Sequence, residues 1–120
     1  MKWSFIESPF FMKRRDDHFK NDEAFRQFQD DLMAAPEKGD AIIGCAGVRK
    51  FRERDASKGR GKSGGLRVIY LQIPETHEIF LLHVYFKSVK DDLTKDEIRV
   101  LADAAREIKH HARIRKRLGL

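Results

Sequence analysis

LRVIYLQIPETHEIFLLHVYFK, residues 66–87, is the stretch on which the fold turns. Two runs rich in β-branched and aromatic residues, 66–73 and 79–87, flank the turn segment PETHE and read as neighbouring strands. Working outward, residues 41–54 form a further strand region, interrupted by Gly44 and Gly47, which suggest a bend or bulge. KWSFIE, residues 2–7, alternates enough for a short first strand. Ser8 followed by Pro9 supplies an N-cap and a first helical residue, opening a helix to about Phe19. Asn21 caps a second helix, with Asp22 and Glu23 in its first turn and Phe25, Phe28 and Leu32 on one face. Pro36 ends it, because the residue before a proline is pushed out of the α region. Thr94 and Glu97 make a capping box for a last helix, whose stripe of Ile98, Leu101, Ala102, Ala105, Ile108 and Ala112 faces a core. This order predicts an α+β fold: an antiparallel sheet of about four strands, two N-terminal helices and a C-terminal helix. The 120 residues suffice for one domain, 1–120, and one modest core.

Composition narrows the function classes. A hydrophobic content of 41% is globular, so wholesale disorder is not expected despite 37% charged residues. Apolar runs such as IFLL, 79–82, fall far short of the ~20 residues that cross a bilayer. The N-terminus lacks the pattern of a signal peptide, and a single cysteine, Cys45, forms no internal disulfide; the expectation is a cytoplasmic protein with no membrane partner. The net charge of +6 suggests a polyanionic partner. Basic residues crowd 49–67 and again 106–117, whereas acidic pairs sit mainly in the N-terminal third.

SKGRGKSGG, residues 57–65, ends like a phosphate-cradling Walker loop, but Ala56 stands where the first glycine is needed and a strand follows instead of a helix. A nucleotide cofactor is therefore not expected. Lys58, Arg60 and Lys62, spaced by glycines, suit gripping a nucleic-acid backbone without reading sequence. Strand periodicity puts Lys50, Arg52 and Arg54 on one face with Phe51 on the other, and His83, Tyr85 and Lys87 opposite Leu82, Val84 and Phe86. Antiparallel pairing would gather Lys50, Arg52, Arg67 and Lys87 on one open sheet surface beside His83 and Tyr85. A solvated charged face explains any one of them; four cations on three strands favour an anion site. Adjacent His110 and His111 diverge by about 100° on a helix, and no Cys/His cluster has metal spacing, so no metal or cofactor is expected.

The segments GVRKFRERDASKGRGKSGGLRVIYLQI and YFKSVKDDLTKDEIRVL resemble the HigB-type branch of the RelE/ParE toxin superfamily, from about Phe25 to Leu101. The resemblance implies the compact RelE-like microbial ribonuclease fold and a toxin of a toxin–antitoxin pair. It implies ribosome-dependent cleavage of mRNA in the decoding site, and neutralisation by an antitoxin with a helix-turn-helix through which alone operator DNA is bound. By motif position, Lys50, Arg52, Arg67 and Lys87 match the family's catalytic cations. The chemistry fits: attack of a ribose 2′-OH on the adjacent phosphate needs compensation of growing charge, which fixed guanidinium groups give. A lysine crowded by cations would be shifted toward acid–base use. The tyrosine that familiar RelE members carry near the C-terminal segment is absent from Lys90-Asp91-Asp92-Leu93, so His83 and Tyr85 become candidates for proton transfer. Arg49, Arg54, Lys58, Arg60 and Lys62, with Arg113, Arg115, Lys116 and Arg117 of the tail, are candidates for contact with mRNA and ribosomal RNA. Two rival readings share these residues: a gyrase-poisoning protein without nuclease activity, and a non-catalytic RNA-binding module. The retained cationic set favours cleavage over the first, and the scarcity of exposed aromatics on the face disfavours the second.

Overall fold

LRVIYLQI is apolar at nearly every position because this strand is covered on both faces. The computed structural model describes residues 2–53 and 65–120. Among these the chain runs β1 (Ser4–Glu7), α1 (Pro9–His18), α2 (Asp22–Ala34), β2 (Asp40–Ala41), β3 (Arg49–Glu53), β4 (Leu66–Ile73), a 3₁₀ turn (Pro74–Thr76), β5 (Glu78–Phe86) and α3 (Lys95–Arg117). The strands form one sheet in the order β1-β5-β4-β3-β2. All neighbours are antiparallel except β1, which joins β5 in parallel. The class is the expected α+β, with five strands in a mixed sheet where the sequence suggested about four antiparallel ones.

Both differences show in the path of the chain. Residues 41–54 do not make one bent strand. Left-handed backbone at Gly44 (φ +74°), Ala46 (φ 55°) and Gly47 (φ 94°) folds them back, so that Asp40 pairs with Lys50 and Ala41 with Arg49. β1 passes through Ser8 directly into α1 and joins the sheet at the free side of β5.

The caps read from the sequence are formed. Ser8 Oγ accepts from Phe11 N–H, Asn21 Oδ1 from Ala24 N–H, and Thr94 and Glu97 complete their reciprocal box. α1 and α2 cover one face of the sheet, where Phe11, Phe19, Phe25, Phe28 and Leu32 pack on Phe51, Val68, Tyr70 and Val84. α3 covers the other, its small Ala102, Ala105 and Ala112 allowing close approach to Ile69, Leu71 and Leu82. Its C-terminal end is clamped by Arg115, which donates to both carboxylate oxygens of Glu78 at 2.8 and 3.3 Å. Tyr70 anchors the turn before β2: its hydroxyl donates to Pro36 O at 2.6 Å and accepts from Gly39 N–H at 3.0 Å. A Cβ at Gly39 would lie 2.6 Å from that oxygen, so the turn requires glycine there. Among the described residues no helix is long and apolar enough to cross a membrane.

Candidate functional site

Pairing register decides which side chains meet. Arg52 of β3 stands directly opposite Arg67 of β4, and Arg67 opposite Tyr85 of β5, in one row across three strands. The next row is Lys50, Ile69 and His83. The face shared by Lys50, Arg52, Arg67, His83 and Tyr85 is therefore real, and it lies on the α3 side of the sheet. Lys87 falls one residue past β5, exposed, its N–H bonded to Gly65 O. Strand alternation places Leu82 opposite His83, but a bulge corrects this. Ile69 pairs with His83 and Tyr70 with Leu81, which leaves Leu82 as the extra residue, packed on the α3 side like His83.

The surface is less open than the sequence suggests. Arg67 is only 4% exposed, as is Tyr85. The Arg67 guanidinium donates to the carbonyls of Gly65 and Leu66 at 3.4 and 3.3 Å. Burial lowers its pKa, the facing Arg52 lowers it further, and Tyr85 opposes them. Arg52 reaches solvent and sits 3.3 Å from Asp40, while Lys50 Nζ is 3.9 Å from Asp92. These two carboxylates are counter-charges that the sequence reading misses. Asp40 becomes visible only once the β2–β3 hairpin is known, and Asp92 only once the connection to α3 is seen to pass over β3. Lys50 is thus not surrounded by cations alone. An open cleft of about 140 Å³, lined by Lys38, Asp40, Lys50 and Arg52, adjoins the row.

Burial sets the state of the two neighbours. His83 is pulled down to about 4 by desolvation, with Glu97 opposing and Arg14, Lys90 and His18 adding to the fall, so the imidazole is neutral near pH 7. It packs edge-on to Phe10 at 4.8 Å and lies 5.5 Å from the Tyr85 ring. Its Nε2 is 4.0 Å from Glu97, itself held by Lys90 at 2.6 Å. Tyr85 is pushed up to about 12, by burial first and by Asp92 next, with Arg67 opposing. Among the described residues neither His83 Nδ1 nor the Tyr85 hydroxyl has a hydrogen-bond partner.

Other expected contacts are not brought to this face. Arg49 pairs with Tyr70 on the opposite side and donates to Glu37 O and Gly39 O at 3.2 and 2.7 Å, bracing the turn. The cluster Arg113, Arg115, Lys116 and Arg117 lies in the last turns of α3, which Arg115 ties to Glu78. Seven residue steps of extended β5 separate Glu78 from Tyr85, about 23 Å. Arg54, Lys58, Arg60 and Lys62 lie outside the described residues. Among the described residues no group of three or more His, Cys, Asp or Glu could hold a metal ion.

The family described as "RelE toxin of RelE / RelB toxin-antitoxin system" matches residues 11–116. Among solved structures, the chain is similar to E. coli toxin RelE, determined in the free state as a double arginine-to-alanine mutant. The TM-score is 0.56 at 14% identity, covering 87% of this chain and 97% of that one. It is also similar to a chain of the intact E. coli RelBE toxin–antitoxin complex, with a TM-score of 0.50 at 16% identity, over 69% of this chain and 94% of that one. At such identities the likeness is one of fold.

Proposed function

The chain belongs to the RelE toxin family, and from that premise we propose that it is a ribosome-dependent endoribonuclease that cuts mRNA in the decoding site. The observation that carries this reading is the direct pairing of Arg52 with Arg67 across β3 and β4. Like charges facing each other across a sheet are destabilising, and burying one of them costs more. An anion bound between the two guanidinium groups would relieve that repulsion. A phosphodiester is the anion that a planar guanidinium fork suits best.

The reaction is intramolecular. The ribose 2′-oxygen attacks the adjacent phosphorus, the bond to the 5′-oxygen breaks, and the products are a 2′,3′-cyclic phosphate and a 5′-hydroxyl. Arg52 and Arg67 hold the phosphate in line and oppose the charge that grows on its oxygens. Lys50 and Lys87 add to that field, Lys50 exchanging its contact with Asp92 for the substrate. The 2′-proton must go to a group with a lone pair at neutral pH, which the neutral His83 has and the arginines lack, while the leaving 5′-oxygen takes its proton from solvent water. Dependence on the 2′-OH makes RNA, not DNA, the substrate. Arg54, Lys58, Arg60 and Lys62 suit docking to the mRNA and ribosomal backbone, and Arg113, Lys116 and Arg117 a separate contact with ribosomal RNA. All 120 residues then serve as one toxin domain in the cytoplasm, held inactive by an antitoxin whose own helix-turn-helix binds operator DNA. A defined mRNA incubated with the pure protein, with and without programmed ribosomes, tests this. Fragments only in the presence of ribosomes are expected; no fragments, together with blocked supercoiling by DNA gyrase, would overturn the reading.

A further inference from the structure

Tyr85 carries a polar group whose presence the fold does not explain. The side chain is 4% exposed and packs with Ile69 and Leu93 under α3, a place where phenylalanine would serve equally well. Its hydroxyl is buried and, among the described residues, unpartnered. Buried hydroxyl groups in folded proteins are nearly always hydrogen-bonded, so such an orphan calls for a partner from outside the chain. Its place in the sheet says which. Tyr85 is the cross-strand partner of Arg67, which is the partner of Arg52, so the orphan ends a row of two guanidinium groups.

We infer that Tyr85 is the neutral donor of the anion site: its hydroxyl hydrogen-bonds a non-bridging oxygen of the phosphate that Arg67 and Arg52 hold. This rests on the nuclease reading and adds to it a residue outside the cationic set. The proton stays on Tyr85 throughout, since burial and Asp92 push the phenol up to about 12 and leave it a donor, not an acid. Asp92 acts on the hydroxyl through space without bonding it; its side chain is 78% exposed, lies 3.9 Å from Lys50, and accepts from the Leu93 N–H at 2.9 Å. Water around so exposed a carboxylate screens its repulsion of a dianionic phosphorane. The phosphorane carries more charge on its oxygens than the ground-state diester, so the hydroxyl should act mainly on the chemical step.

Tyr85→Phe tests this, because it removes the oxygen and keeps the ring. On programmed ribosomes we expect kcat to fall about 10- to 100-fold, the range of a hydrogen bond to a charged group, with KM changed less than about twofold. Tm should be equal or higher, since a buried unpartnered hydroxyl is removed. A kcat within threefold of the parent overturns the inference, as does a fall of Tm with kcat intact, which would mark the hydroxyl as a structural group bridged by water. A second measurement does not depend on cleavage: binding of a uridine–vanadate complex, whose trigonal-bipyramidal oxygens carry phosphorane-like charge. Weaker binding by Tyr85→Phe supports the phosphate donor even if the parent cuts no mRNA. Equal affinity, or no binding by the parent, sinks it whatever the ribosome assay gives.

Discussion

Replacing Arg67 by Gln separates what this side chain does for the fold from what it does for the reaction. Gln keeps part of the apolar stem and an amide able to reach nearby carbonyls, but it carries no charge. The contacts to Gly65 O and Leu66 O, 3.4 and 3.3 Å, lie at the long end of the hydrogen-bond range. Each contributes at most about 0.5–1.5 kcal/mol. Against that loss stands relief from Arg52, the like charge directly opposite in the sheet. The relief offsets part of what the contacts contribute, and the melting curve reads the net. The reaction has no such compensation. A donor aimed at charge that develops in the transition state is worth about 2.7–4 kcal/mol, so single-turnover cleavage should slow by roughly 10²–10³. Arg67→Lys should fall between parent and Gln, because it restores charge without the planar fork. The assay is single-turnover cleavage on programmed ribosomes at saturating toxin, with a melting curve on the same samples. A Gln variant that cuts within about threefold of the parent at unchanged Tm removes Arg67 from the site. One that unfolds shows that the buried cation serves the fold.

Three further outcomes test other parts of the structure. Tyr70→Phe deletes the two hydrogen bonds that the hydroxyl makes to the Pro36–Gly39 turn and should cost about 1–3 kcal/mol in denaturant unfolding, with cleavage lowered only through displacement of β2 and Asp40. Because the folded His83 lies near 4, below its ordinary 6.5, its contribution to stability is complete above pH 6.5 and is lost as pH falls toward 4. His83→Leu should flatten that part of the stability–pH curve, and an unchanged slope would place the titration elsewhere. Arg115, then Thr76, hold the Glu78 carboxyl below its usual range. Its stabilising effect is therefore present above the ordinary carboxylate pKa and fades as pH drops through the lowered value. Glu78→Gln should lower Tm at pH 7 and match the parent in acid, which melts at both pH values can check.

Local chemistry wrote much of this fold plainly. Ser8-Pro9, Asn21 and the Thr94–Glu97 box each open the helix that the sequence announces, and each cap bond is present. The two strongest strand runs appear within a residue of their expected bounds. Long-range features were not legible. β1 carries no local mark of its parallel pairing with β5, nor do residues 41–54 state whether their glycines bend a strand or turn a hairpin. The three-strand row was accessible as far as periodicity goes: Lys50, Arg52, Arg67, His83 and Tyr85 do share a face. Two facts escaped because they depend on register and cover. The bulge at Leu82 defeats simple alternation, and burial of Tyr85 follows from α3 and the segment before it closing over the sheet. Asp40 and Asp92 were invisible for the same reason. Neither is near Lys50 or Arg52 in the chain, and only folding brings them to within 4 Å.

The central claim is that Arg52 and Arg67 hold a phosphate attacked by its own neighbouring 2′-OH on the ribosome. A single-atom change in the substrate tests it most directly. Two mRNAs, identical except for one 2′-deoxy nucleotide at the position where the parent transcript is cut, are loaded on ribosomes and treated with the pure protein. The account predicts that the all-ribose transcript yields a 2′,3′-cyclic phosphate and a 5′-hydroxyl, and that the deoxy transcript stays intact at that bond. Equal cleavage of both transcripts, or cleavage of neither, would contradict it.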